Sequence, residues 1–176
     1  RPASAGEHHD RAFIVPAPNA VQIDADLSDW DLSAALEGAF DEALRPRFTL
    51  NLAFMHDAEA LYIGAHFVDD TPLVNRHDPA VEPDRGWDGD CLQVRLSSDP
   101  AEAYPLPDSK GEHICHLTIW HYTDARLPVL QLQYGMDYHG TRVLTGAESG
   151  VAFRADGDGN GYTLEARVPW ALLNAG

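Results

Sequence analysis

Basic residues are scarce. The 176-residue chain has 12 Lys plus Arg against 28 Asp plus Glu, a formal net charge of −16. A field of that sign repels a phosphate backbone, which argues against nucleic acid as a partner. Long apolar runs are also missing. No stretch approaches the roughly 18 apolar residues of a membrane-spanning helix. The opening Arg-Pro-Ala-Ser-Ala-Gly lacks the basic and apolar regions of a signal peptide. Cysteine is reduced to Cys91 and Cys115. Cys91 falls out of phase with Leu92, Val94 and Leu96, while Cys115 is in phase with Leu117 and Ile119, so the two thiols point to opposite faces of a sheet. Catalytic motifs are missing too. His66, Asp69 and Ser97 are accompanied by no nucleophile elbow, metalloprotease helix or phosphate loop. No carboxylate pair for glycoside hydrolysis stands out among so many acids. The chain reads as a non-enzyme.

What is present is enough for a core. An apolar content of 44% and four Trp fit a globular fold, and the length suits one domain. Residues 1–12 are polar and read as a flexible N-terminal arm, with His8-His9 as tail residues. Residues 13–176 then form a single module. Phe13-Ile14-Val15 and Val21-Gln22-Ile23 read as short strands. Phe48, Leu50, Leu52 and Phe54 alternate, as do Leu61, Ile63, Ala65 and Phe67 beyond a His56-Asp-Ala-Glu turn; this pattern predicts a hairpin. Prolines break up 69–85. Strands follow at Cys91–Ser97, 113–122, 128–134, Gly150–Ala155 and Tyr162–Val168, with a Pro-rich loop at 99–112. Thr123-Asp-Ala-Arg and Asp156-Gly-Asp-Gly-Asn-Gly serve as turns. One short helical segment is expected near 32–44. The pattern is that of an all-β antiparallel sandwich, jelly-roll-like.

Four blocks in this order carry a resemblance. Val21-Gln-Ile-Asp-Ala-Asp-Leu-Ser-Asp-Trp30 comes first, then Leu52-Ala-Phe-Met-His-Asp-Ala-Glu-Ala-Leu-Tyr-Ile63. Trp87-Asp-Gly-Asp-Cys-Leu-Gln-Val94 and Gly161-Tyr-Thr-Leu-Glu-Ala-Arg-Val-Pro-Trp170 follow. Over residues 20–173 the chain resembles the family 9 carbohydrate-binding modules, a superfamily that also includes haem-binding sandwiches. The resemblance implies an oligo- or polysaccharide ligand. It also implies covalent attachment to other domains of a secreted, periplasmic or cell-surface carbohydrate-active protein. In the family an aromatic at the position of Trp87 stacks on a sugar ring. An indole suits the apolar C–H face of a pyranose, and the hydroxyls then need polar partners at its edge. Gln93, Thr118 and Trp120 share the parity opposite to the apolar residues of their strands, and join Trp87 as the expected contacts. Trp30 and Trp170 stand at positions that pack in the family. The family fold continues for further strands beyond Trp170, which supply part of its cleft. It also places an Arg and an Asn where this chain has Thr118 and Trp120, so a glucose-type specificity does not carry over.

Calcium takes six to eight oxygens from clustered carboxylates and carbonyls. Asp24, Asp26, Asp29 and Asp31 form one such cluster in sequence, and Asp69, Asp70, Asp88 and Asp90 another, so a structural calcium ion is expected. The turn at 156–161 begins like a helix-loop-helix calcium loop but has Arg167 at its twelfth position, and reads as a plain hairpin. Two other functions compete with sugar binding. Met55, Met136 and nine His offer axial ligands to a haem electron carrier on the same sandwich. A surface without an exposed aromatic pair would instead favour a structural or interaction domain.

Overall fold

The computed structural model describes residues 9, 11–39, 41–97, 114–135 and 140–173. Along the chain run β1 (Ile14–Pro16), β2 (Leu36–Gly38), β3 (Phe48–His56), β4 (Ala60–Asp69), β5 (Cys91–Ser97), β6 (Ile114–Tyr122), β7 (Leu127–Tyr134), β8 (Gly140–Thr145), β9 (Val151–Ala155), β10 (Gly161–Pro169) and α1 (Trp170–Leu173). The class is all-β, as expected. Two compact units are present. The first combines Arg1–Leu73 with Ala152–Val168, and the second Val74–Val151 with Pro169–Gly176.

The first unit is built on a six-stranded sheet in the order β1-β3-β4-β10-β9, with β2 also paired to β3. The predicted β3–β4 hairpin forms with Leu50 opposite Phe67, Leu52 opposite Ala65 and Phe54 opposite Ile63. Its turn is closed by Asp57, whose Oδ1 accepts the Glu59 and Ala60 N–H groups and whose Oδ2 accepts the Tyr62 hydroxyl. The alternation predicts one buried face, yet Tyr62 and Met55 on the other face are also buried. The segment 15–30 explains it. Val15, Ala17, Val21, Ile23, Leu27 and Trp30 pack over Ala53, Met55, Ala60 and Tyr62 and remove that face from water. Val21–Ile23 therefore contributes apolar cover and forms no strand.

Glu165 of β10 pins this cover. It is fully buried, and its carboxylate accepts hydrogen bonds from the Asp24 N–H, the Ala25 N–H and the Trp30 indole, each at 2.7 Å. Burial still pushes the Glu165 carboxyl above its ordinary range, ahead of the opposing pull of those donors. Trp30 is core, as its motif position implied.

Two features of this sheet differ from the sequence expectation. The segment 32–44 contains no α-helix among its described residues. Leu36–Gly38 instead pairs antiparallel with Leu50–Leu52, and only a 3-10 turn, Glu42–Leu44, follows, capped by Asp41. The edge of β3 offers unpaired backbone groups, and filling them outweighs a weak helical propensity. Strand β1 runs parallel to β3, with Ile14 opposite Phe54. It ends at Pro16, which lacks an N–H and suits a sheet edge.

The second unit is a four-stranded antiparallel meander, β5-β6-β7-β8. Thr123–Arg126 makes the β6–β7 turn, with the Arg126 N–H donating to the Thr123 carbonyl and Arg126 at φ 52°. One face carries Leu92, Leu117, Ile119, Leu130 and Leu132, all buried. Strand β8 has no counterpart in the sequence expectation: Thr141-Arg-Val-Leu-Thr shows little alternation and pairs because β7 presents an edge. The Pro-rich loop expected at 99–112 lies outside the described residues, as does most of the N-terminal arm.

Candidate functional site

The face of the β5–β8 sheet opposite its leucines is polar, and strand register arranges it in rows. Cys91, Trp120, Val129 and Thr145 form the first. Gln93, Thr118, Gln131 and Val143 form the second, and Arg95, His116, Gln133 and Thr141 the third. His116 Nε2 lies 3.1 Å from Gln93 Oε1, within hydrogen-bond distance. Burial, with the Arg95 charge second, pushes the His116 pKa below the ordinary imidazole range, so the ring is neutral near pH 7. Gln131 is 2% exposed, and its buried amide nitrogen has no hydrogen-bond partner among the described residues.

Beside the first row stands the loop that carries Trp87. Asn75, 1% exposed, organises it. Its side-chain amide donates to the Gly86 carbonyl at 2.7 Å and the Asp90 carbonyl at 3.2 Å, while its backbone exchanges hydrogen bonds with Thr123. The Asp90 carboxylate accepts the Val74 N–H, and the Asp90 N–H returns a bond to the Val74 carbonyl. Gly86 lies flat on the Trp120 ring, where a Cβ would sit 2.5 Å from the indole. The Trp120 N–H donates to the His77 carbonyl at 3.2 Å. With this floor beneath it, Trp87 emerges 55% exposed, and the Arg85 guanidinium lies 5.8 Å from its ring centroid. The Cys91 thiol links loop and sheet, lying 3.8 Å from the Trp87 carbonyl and 3.9 Å from the Gln93 amide. Burial pushes that thiol up to about 11, so it stays protonated. Cys91 and Cys115 are both free, on opposite faces as their parity predicts.

The structure thus brings together some of the expected contacts and corrects others. Trp87 and Gln93 are exposed at one end of the polar face. Trp120 and Thr118 are buried, at 0% and 2%. Alternation places Trp120 on the predicted side of its sheet, but the 75–90 loop covers that side, so Trp120 is the floor of the loop and no second platform. The two-aromatic cleft does not form. Gln131, Gln133 and His116 join the face without having been named as contacts. Their signal was legible: Leu130-Gln-Leu-Gln-Tyr134 alternates strictly, and its amides must share one face.

The acidic clusters do not assemble. Among the described residues, no three His, Cys, Asp or Glu side chains form a metal-sized group. Asp24, Asp26, Asp31 and Asp69 each accept the N–H two residues ahead, as turn-forming aspartates do. Asp29 accepts the Gln22 N–H, Asp70 pairs with Arg47, and Asp88 pairs with Arg85. The 156–161 segment is a hairpin turn, with the Gly159 N–H bonded to the Asp156 carbonyl. Met55 is fully buried with its sulfur accepting the Asp31 N–H at 3.3 Å, which removes it as a haem ligand. Met136 lies outside the described residues.

No family sequence model matches the chain, and neither does any protein of curated function. Solved structures do give a likeness. A family 9 carbohydrate-binding module from Caldicellulosiruptor kristjanssonii, in complex with glucose, aligns with 92% of this chain and 70% of its own, at TM-score 0.51 and 16% identity. The fold is that of a family 9 module. The all-β sandwich expected from the sequence is therefore present, and at this identity the likeness establishes fold alone. No helix among the described residues is long and apolar enough to cross a membrane.

Proposed function

We propose that the chain is a non-catalytic carbohydrate-binding module in which a sugar ring stacks on Trp87 and its hydroxyls meet the polar face that begins at Gln93. The exposed Trp87 indole carries this reading. A solvent-facing Trp beside the exposed Gln93 amide supplies the apolar plate and an edge donor that a pyranose requires. The glucose-bound family 9 structure, sharing this fold, supports the assignment. A module of this kind fits attachment to a larger secreted carbohydrate-active protein.

Isothermal titration with glucose, cellobiose, xylobiose and mannobiose tests the proposal. At least one sugar is expected to bind. Trp87→Ala should lower its affinity about tenfold or more, with the melting midpoint unchanged. Equal affinity in the variant would remove the platform. Among the described residues the expected aromatic partner of Trp87, Trp120, is buried, which favours an interaction domain as the second reading, and that reading predicts no affinity for any of the four.

A further inference from the structure

We propose that Arg85 is a positioning residue for Trp87, its guanidinium backing one face of the indole and thereby assigning the sugar to the other. The inference rests on the carbohydrate-binding reading above. An indole that is 55% exposed has little packing to fix its rotamer, so a ligand would have to order it on binding. Arg85 supplies the missing restraint. Its guanidinium lies within cation–π range of the Trp87 ring, at 5.8 Å from the centroid, and a planar cation can stack where an ammonium cannot.

Arg85 is itself held in place. Asp88 pairs with it, and the same Asp88 carboxylate lies 3.7 Å from His77 Nε2. His77 Nδ1 lies 3.0 Å from Glu82, and the His77 carbonyl accepts the indole N–H of buried Trp120. A continuous series of contacts thus runs from the immobile floor of the loop to the exposed ring. The backed face is closed to a pyranose, and the open face is pre-oriented for one.

The test compares the wild-type chain with Arg85→Ala, Arg85→Lys, Asp88→Asn and the double variant Arg85→Ala/Asp88→Asn. Acrylamide quenching of Trp87, taken as the difference between each chain and its Trp87→Ala counterpart, reads indole mobility without sugar. Titration with the tightest-binding of the four sugars reads affinity. Arg85→Ala is expected to raise quenching and to weaken binding about two- to fivefold, with the melting midpoint unchanged. Asp88→Asn should do the same, the double variant should be no worse than Arg85→Ala alone, and Arg85→Lys should recover only part. Unchanged quenching in Arg85→Ala overturns the positioning role, whether affinity holds or falls; a fall would mean that Arg85 touches the sugar itself. If Trp87→Ala binds as tightly as wild type, the platform fails and the role of Arg85 in binding fails with it. The quenching result would then report on the loop alone.

Discussion

At the scale of single residues, two histidines of β6 carry a pH dependence, His116 on the polar face and His121 in phase with Leu117 and Ile119 on the opposite one. Burial holds both His116 and His121 below the ordinary imidazole range, with Arg95 and Arg126 adding smaller repulsions. A depressed folded pKa means the unfolded chain binds protons first. Stability from these groups is therefore full above the unfolded value, about 6.5, and is lost as pH falls through the lower folded values. Melting midpoints should drop between neutral pH and about pH 5, and His116→Gln/His121→Gln should flatten that slope. An equal slope in the double variant would show that neither ring is responsible. Asp57, held low chiefly by the Tyr62 hydroxyl, titrates at more acid pH and does not confuse the comparison. The sequence revealed which way such residues point and not what covers them. Trp87 precedes a strand and was expected to be exposed, which it is. Trp120 was placed on the correct side of its strand, but its burial depends on a loop whose path is set by Asn75, and no local pattern encodes that.

At the scale of elements, the loop between β4 and β5 is seated on one ring. Trp120→Ala removes a fully buried indole and should cost about 3–5 kcal/mol of unfolding free energy. Gly86→Ala attacks the same contact from the other side. Its methyl would lie 2.5 Å from the Trp120 ring, so about 1–3 kcal/mol of strain should appear together with weakened sugar binding as Trp87 is displaced. Chemical denaturation of both variants checks the pair. A Gly86→Ala protein as stable as wild type would show that the loop is not seated as described. Legibility at this scale followed periodicity. The β3–β4 hairpin alternates over nine and ten residues and was readable almost to the residue. Leu36–Gly38 and β8 are short, weakly patterned strands whose pairing comes from a neighbouring edge, a tertiary fact that composition does not record.

At the scale of the whole molecule, charge selects among ligands. The net charge is −16, and Glu82, Asp84 and Asp88 all act on Arg85 beside the proposed platform. A uronic or sulfated glycan would meet repulsion over a Debye length of about 8 Å at physiological ionic strength. Affinity for neutral sugars should therefore be nearly flat with added NaCl, whereas acidic glycans should bind weakly and improve as salt rises. Preference for an acidic glycan at low salt would contradict this account. Strand order has a further consequence, for how the chain is made. The β5–β8 meander joins neighbours in sequence, so each of its strands can dock as it leaves the ribosome. In the other sheet, β10 inserts between β4 and β9, and β4 waits with an unpaired edge until residues 161–169 have been synthesised. Glu165 arrives with the same strand, so the segment around Asp24, Ala25 and Trp30 also acquires its anchor late. The sheet whose strands are translated first is thus the last sheet to be completed, and its nascent form exposes a sticky strand edge for most of that interval.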